Sequence, residues 1–209
     1  MTSKARFAPS PTGLLHIGNA RSAVINWAHI KNIGGEFILR IDDTDTERSK
    51  TEYENKIKEN LSWLGLSWSK TFNQSQRKEI YEKKILFLKE SKKIYPCFES
   101  PSELSLKRKT QLSSSKPPIY DRSALKLTSN QIEDLIMAGQ VPHWRFKLQD
   151  GIIEWLDLIK GKVSFNSNNL SDPILIREDG TLLYHLPSVV DDIEENITDI
   201  IRGEDHITN

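Results

Sequence analysis

The chain of 209 residues is long enough to bury one large or two small hydrophobic cores. Its 37% hydrophobic and 28% charged residues are typical of a soluble globular protein, and the apolar runs are too short to span a bilayer. No apolar segment follows the N-terminal residues, so no signal peptide is expected. The single cysteine, Cys97, excludes an internal disulfide and agrees with a cytoplasmic location.

The formal net charge is zero, but the charges are unevenly distributed. Residues 1–82 have a net charge of +2, residues 83–126 of +7 and residues 127–209 of −9. The middle block is therefore a candidate for contact with a nucleic-acid phosphate backbone. The alternative is that its lysines form only the exposed face of a helix. These lysines are Lys83, Lys84, Lys89, Lys92 and Lys93.

The first 31 residues predict a strand, a loop and a helix. The strand covers 5–8, and the helix runs from the Gly18 region to about residue 31, with apolar residues at helical spacing. A loop that leads into a helix N-terminus favours phosphate, through free N–H groups and the helix dipole. His16 and Asn19 lie there as hydrogen-bond donors for charge that builds up in a transition state. The alternative is that His16 only caps a turn.

A second strand is predicted over 36–42, and its two faces are both largely apolar. That pattern favours a strand of a parallel sheet covered on both sides. Asp42 begins an acidic run at the carboxyl end of the strand, where ligands bind in open α/β sheets, so a carboxylate there could pair with an ammonium group. The alternative is a loop in which Asp45 or Ser49 caps the next helix.

Helices are predicted over 49–64 and 74–92, the latter burying Ile80, Leu86 or Phe87, and Leu88. Residues 1–93 thus have the order β-α-β-α-α, half of a nucleotide-binding sheet.

Capping boxes at Ser100 and Thr128 predict two further helices. Residues 143–184 are rich in β-strand patterns, with hairpin signals at 150–151 and 179–180. A helix over 188–195 and a strand over 197–201 complete the pattern.

Three motifs carry a resemblance to a known family. The segments 6–19 and 37–45 closely resemble the opening of glutamyl-tRNA synthetases, which are class I aminoacyl-tRNA synthetases. Within them, residues 16–19 resemble the HIGH motif. A third match covers 183–192 and 201–205, so the similarity extends over essentially the whole chain.

The resemblance implies an α/β fold: a Rossmann-like parallel nucleotide-binding sheet interrupted by an inserted α+β domain. Residues 1–94 would form the first half of the catalytic domain and 184–209 the start of its second half. Residues 95–183 would form the connective domain that binds the acceptor end of tRNA. Neither a KMSKS-like loop nor an anticodon-binding domain is found, so the chain is expected to be a fragment that is inactive alone in full aminoacylation.

The reaction implied is activation of L-glutamate by ATP with Mg²⁺, followed by transfer to the terminal ribose of tRNA(Glu). Matching residues assign transition-state stabilisation to His16, Gly18 and Asn19, with Glu204 and His206 as further ATP-binding residues. The resemblance also implies seven glutamate-binding positions: Arg6, Ala8, Ser10, Asp42, Tyr184, Ser188 and Arg202.

Two of those positions depart from the family. Asp42 stands where Glu is usual, and Ser188 where Asn is frequent, so both contacts would involve a shorter side chain. For Arg202 the alternative is a surface ion pair with Glu204 or Asp205.

The zinc site of many relatives is also altered. They hold zinc with a Cys-x-Cys pair and a later Cys/His pair, whereas Glu99 occupies the second position here. No Cys or His occurs between Ser100 and Pro142, and a structural zinc site needs four ligands. No zinc is therefore expected, and Cys97 is predicted to be a small buried residue.

Three other functions remain open: a tRNA-modifying glutamylating paralogue, a small-molecule adenylyltransferase, and a non-catalytic tRNA-binding module. A monomer with no membrane partner is expected.

Overall fold

The computed structural model describes residues 2–207, which form two compact units. One comprises the chain up to Lys84 together with the segment from His185, and the other comprises Ile85–Tyr184. The last two residues of the predicted 184–209 segment lie outside the described range. Within 2–207, every helix is too short or too polar to cross a membrane.

The regular elements alternate between strand and helix in the first half of the chain. In order they are β1 (Lys4–Phe7), α1 (Ile17–Asn32), β2 (Glu36–Ile41), α2 (Thr51–Trp63), β3 (Lys70–Asn73), α3 (Lys78–Glu90), β4 (Ile94–Cys97), α4 (Pro101–Ser113), α5 (Ser129–Met137), β5 (His143–Phe146), β6 (Ile152–Asp157), β7 (Gly161–Asn166), β8 (Ile174–Ile176) and α6 (His185–Glu194).

The first unit is built on a parallel sheet in the order β1-β2-β3, which confirms the predicted α/β class. One face of the sheet is covered by α1 and α2. Ala23 and Ile30 of α1 and Ile57 and Leu61 of α2 are fully buried against Leu39 and its neighbours in the sheet. Strand β2 is buried on both faces, which explains its almost continuous apolar sequence.

Strand β3 was not predicted from the sequence, because it is short and half exposed. The helix predicted from residue 74 begins at Lys78, after a single 3₁₀ turn over Gln74–Arg77. The buried residue of α3 is Tyr81, whereas Leu86 and Phe87 are more than half exposed, so the predicted core face was wrong there.

The predicted strand over 197–201 is also wrong. Only one parallel bridge, between Ala5 and Asp199, joins this segment to β1. The backbone N–H groups of Thr198 and Asp199 both donate to the Lys4 carbonyl, which prevents a regular ladder. The segment nevertheless runs parallel to β1, so Arg202 follows it at the carboxyl end of the sheet.

The second unit contains an antiparallel sheet, β4-β5-β8, and a separate β6–β7 hairpin. Both predicted capping boxes are present, at the starts of α4 and α5. The turn at Asp179-Gly180 is confirmed, with Gly180 at φ +84°. The hairpin predicted at 150–151 is wrong, because β5 pairs with β4 and β8 and not with β6.

Candidate active site

The loop between β1 and α1 presents its histidine at the start of a helix. His16 is the N-cap of α1, and its Nδ1 accepts a hydrogen bond from the Gly18 backbone N–H at 3.1 Å. In a neutral imidazole, an accepting Nδ1 leaves the proton on Nε2. His16 therefore does cap the helix, and the same bond orients Nε2–H as a donor on an exposed side chain.

A cavity of about 210 Å³ lies beside this helix N-terminus. Three of the predicted site residues, Ser10, His16 and Asn19, line it together, with Ile57 of α2 as an apolar wall. The first turn of α1 contains no acidic residue, so the positive end of the helix dipole is not neutralised locally. The cavity thus combines hydroxyl, imidazole and amide groups at a helix N-terminus, the end of a helix that favours anions.

Gly18 is closely confined by the histidine that it contacts. A Cβ added at Gly18 would lie 3.0 Å from His16 Cε1 and 3.1 Å from Nδ1, whereas a Cβ at Gly13 would meet no atom within 4 Å. A side chain at position 18 would therefore displace the imidazole ring.

Asp42 lies at the carboxyl end of β2, where the sequence placed it, but both of its oxygens are already engaged. Arg40 donates from Nε to Oδ1 at 2.6 Å and from Nη2 to Oδ2 at 3.1 Å. Burial raises the pKa of Asp42 to about 6, although the Arg40 charge opposes that shift. Each oxygen keeps a second lone pair, so a substrate ammonium group would have to share the carboxylate with Arg40.

The same guanidinium connects two further predicted residues. Arg40 Nη2 donates to Ser188 Oγ at 3.1 Å, and Nη1 donates to Asp192 Oδ1 at 2.9 Å. Arg6 Nε donates to that same oxygen of Asp192 at 3.0 Å. Arg6, Asp42 and Ser188 are therefore brought together by a buried ion network, in which each is already paired within the protein.

A second aspartate of α6 extends this network, with Asp191 Oδ2 3.9 Å from Arg40 Nε. Asp191, 1% exposed, accepts hydrogen bonds from three side chains: Gln74, Arg77 and Tyr81. Sequence analysis did not identify Arg40, Asp191 or Asp192. The available signal was an arginine inside a strand predicted to be covered on both faces, because a buried charge requires a partner.

The remaining predicted site residues lie after β1, at the end of the second unit, and in the segment after α6. Ala8 directly follows β1, and Tyr184 ends the second unit. Arg202 is exposed, and its Nη2 lies 3.0 Å from His206 Nδ1. Glu204 and His206 form a single 3₁₀ turn after Gly203.

The lysines of the middle block are partly engaged. Lys84 pairs with Glu194 at 2.9 Å, and Lys89 Nζ lies 4.1 Å from the centre of the Trp144 ring.

Farther along, a cavity of about 700 Å³ in the second unit is bordered by Lys107, Arg108 and Arg145 among apolar residues. The charged side chains that border this cavity are all basic except Asp121.

Comparison with known proteins identifies the fold and the family. Residues 3–209 match the model of "tRNA synthetases class I (E and Q), catalytic domain". A glutamate tRNA ligase structure from Elizabethkingia meningosepticum, described as in complex with its amino acid, superposes with a TM-score of 0.90 at 33% identity. The match covers 100% of this chain and 45% of that one.

Curated relatives agree. The chain is 53% identical over 207 residues to glutamate--tRNA ligase 1 of Maricaulis maris and 53% identical over 204 residues to glutamate--tRNA ligase 2 of Rickettsia canadensis. These alignments cover 99% and 98% of this chain but 46% of each relative, so the chain spans about half their length. The histidine-capped helix terminus, the parallel sheet and the match over 3–209 together establish that this chain belongs to the class I tRNA synthetases of the E and Q group, within their catalytic domain.

Proposed function

We propose that this chain forms part of a ligase that activates L-glutamate with ATP and transfers it to tRNA(Glu). The observation that carries this proposal is the cavity at the α1 N-terminus, where Ser10, His16 and Asn19 converge. The glutamate--tRNA ligase names of the relatives support the same substrate set.

The first step of the proposed reaction is adenylation. An oxygen of the glutamate α-carboxylate attacks the α-phosphorus of ATP, and the bond from that phosphorus to the pyrophosphate oxygen breaks. Negative charge that develops on the phosphate oxygens is stabilised by His16 Nε2–H, the Asn19 amide and the N–H groups that begin α1. Mg²⁺ would accompany ATP and neutralise phosphate charge while keeping most of its waters. No protein nucleophile is required.

The glutamate would be recognised through charge. Arg202 is proposed to bind the side-chain carboxylate, because a planar guanidinium can donate two parallel hydrogen bonds to it. Arg6 would contribute positive charge from the buried network, and Asp42 would accept from the substrate ammonium with the lone pairs that Arg40 leaves unused. Ala8, Tyr184 and Ser188 remain proposed contacts, as do Glu204 and His206 for the nucleotide.

The second unit is proposed to bind the acceptor end of tRNA, with 95–183 as the connective domain between the two catalytic segments. The net charge of +7 over residues 83–126 supports phosphate contact. We expect the protein to act as a cytoplasmic monomer.

Calorimetric titration of the 209-residue chain with a non-hydrolysable glutamyl-adenylate analogue tests the proposal, with the glutaminyl analogue for comparison. We expect the glutamyl analogue to bind about 10- to 100-fold more tightly, the value of one or two charged hydrogen bonds. Arg202→Ala should remove that preference, and Arg48→Ala, at an exposed arginine paired with Asp45, should retain it.

Other outcomes separate the alternatives. Equal affinity for both analogues would contradict the role given to Arg202 while leaving the adenosine half in place. A chain that binds tRNA but neither analogue would favour a tRNA-binding module. A chain that binds the analogues but not tRNA would favour a small-molecule adenylyltransferase. Charging of a modified base rather than the terminal ribose, in the longer protein, would favour the tRNA-modifying paralogue.

Gly18→Ala is expected to weaken binding of the adenylate analogue, because the added methyl group would displace His16 from its capping position. We expect a loss of about tenfold, similar to removal of one charge-assisted hydrogen bond. Gly13→Ala is the matched control in the same loop, where the methyl group enters open space. Equal binding by both variants and the unmodified chain would contradict the role of His16.

A further inference from the structure

The second unit brings its only thiol beside an imidazole and a carboxylate. Cys97 and His143 are direct cross-strand partners in the antiparallel β4–β5 pair, and Glu99 follows β4 by two residues. One ligand atom from each of these three side chains lies within 4.8 Å of the other two. The pairing joins residues that are 46 positions apart in the sequence.

Two polar atoms of this cluster are buried and lack a hydrogen-bond partner. They are Nε2 of His143, a residue only 5% exposed, and Oε2 of Glu99. Leaving such atoms unsatisfied costs free energy comparable to a lost hydrogen bond or more. The cluster therefore has two buried polar atoms without a hydrogen-bond partner beside a fully buried sulfur, and a cation bound between them would satisfy both atoms.

The carboxylate of Glu99 is held in place by its other oxygen. Oε1 accepts from Tyr120 Oη at 2.9 Å, from Ser123 Oγ at 2.8 Å and from Lys107 Nζ at 3.2 Å. Such outer contacts orient a metal ligand without occupying its free oxygen. Burial alone would raise the pKa of Glu99, but the hydrogen bonds from Ser123 and Tyr120 outweigh it and hold the pKa below its usual value, so the group is anionic.

The other two ligands differ in whether they must lose a proton to bind a metal. Burial, followed by the charge of Arg145, lowers the pKa of His143, so the imidazole is neutral and able to coordinate. Burial raises the pKa of Cys97 to about 12, so coordination would release the thiol proton to solvent as the S–metal bond forms.

Two nearby groups oppose a cation. Arg145 is buried, and its Nη1 donates to the Asp172 carbonyl at 2.7 Å while Nε has no hydrogen-bond partner. The Lys107 ammonium lies 3.2 Å from Glu99 Oε1. A thiolate and a carboxylate provide two negative charges, which offset a divalent ion and leave the positive charges of Arg145 and Lys107. These two charges weaken the affinity of the site for a metal ion.

We propose that Cys97 Sγ, Glu99 Oε2 and His143 Nε2 bind one zinc ion, with water as the fourth ligand. Zinc accepts thiolate, imidazole and carboxylate in tetrahedral geometry, and a site with three protein ligands keeps one open position.

The expectation of no zinc considered Cys and His only up to Pro142 and so omitted His143, which the β4–β5 register places opposite Cys97. This ligand set differs from the Cys-x-Cys and Cys/His pattern that the resemblance implied. The site is independent of the proposed aminoacylation.

The test is metal content and metal spectroscopy of the untagged 209-residue chain. After chelation and desalting, titration with Zn²⁺ should reach one ion per chain, and Co²⁺ should give a sulfur-to-cobalt charge-transfer band typical of a tetrahedral thiolate site. Thermal unfolding should shift upward as the Zn²⁺ concentration rises, since only the folded chain holds the three ligands together.

Three variants locate the ion. Cys97→Ser should abolish the charge-transfer band, and His143→Gln and Glu99→Gln should each weaken Zn²⁺ binding by about 100-fold or more, since even outer contacts of metal ligands are worth 10- to 100-fold. Glu133→Gln, at an exposed carboxylate of α5, is the matched control and should bind as the unmodified chain does. Circular dichroism of the metal-free variants verifies that each is folded.

Two results would overturn the proposal. One is the absence of stoichiometric Zn²⁺ binding by the folded, unmodified chain. The other is unchanged binding and an unchanged cobalt spectrum in Cys97→Ser and His143→Gln, which would place the ion elsewhere.

Discussion

Replacing Arg40 by methionine should destabilise the first unit by about 3–5 kcal/mol, the usual cost of removing one partner from a buried ion pair. Arg40 is 1% exposed and donates to both oxygens of Asp42, to Asp192 and to both the hydroxyl and the carbonyl of Ser188. Methionine fills similar volume but leaves the buried Asp42 carboxylate without the cation that binds both of its oxygens, and leaves Asp192 with Arg6 alone. Because native domains are stable by only about 5–15 kcal/mol, this loss is large.

Urea unfolding followed by amide hydrogen exchange measures the effect in each unit separately. Peptides from β1, β2 and α6 should lose protection in Arg40→Met. Arg48→Met is the control, because the Arg48 side chain is 75% exposed and forms a surface pair with Asp45, so its loss should cost under about 1 kcal/mol. An equal effect of the two substitutions would contradict the view that the Arg40 network stabilises the site. Arg40→Lys should lie between them, since lysine keeps the charge but not the bidentate geometry.

Asp172→Ala should produce a comparable loss in the second unit, of about 3 kcal/mol or more. Asp172 is fully buried, and its carboxylate accepts hydrogen bonds from Tyr95 Oη at 2.6 Å, from Arg122 Nη2 at 3.0 Å and from the Leu148 backbone N–H at 3.0 Å. Alanine would leave the Tyr95 hydroxyl and the Leu148 backbone N–H without their acceptor. Arg122 would lose its buried partner and keep the Leu148 carbonyl and Asp150.

The measurement is again exchange protection, now in peptides from β4, β5 and β8. Asp150→Ala is a close control because Asp150 pairs with the same Arg122, at 2.7 Å, but is 69% exposed. We expect that variant to lose under about 1 kcal/mol. If Asp172→Ala left the β4-β5-β8 sheet as protected as Asp150→Ala does, burial of this carboxylate would not determine the stability of the unit.

Sequence reasoning succeeded where a local rule decides the outcome. The capping boxes at Ser100 and Thr128 depend on residues three positions apart, and both are present. The apolar character of β2 on both faces required a covered strand, and the parallel sheet confirms it. The same reasoning failed for the 197–201 segment, where a competing pair of bonds to the Lys4 carbonyl replaces the ladder that β-propensity favoured.

What the sequence by itself determined is therefore the α/β class, the position of the His16 loop at a helix N-terminus, and the family, because these depend on local pattern and on motifs at fixed spacing. Only the tertiary structure decided how charges are paired. Arg40 meets Asp192 across 152 positions, and Cys97 meets His143 through strand register. Neither pairing is encoded by spacing, because contacts between distant segments depend on which strands and helices pack together. For the same reason, the bonds that join Arg6, Asp42 and Ser188 through Arg40 and Asp192, and the cluster proposed to bind zinc, could be recognised only after the chain was folded.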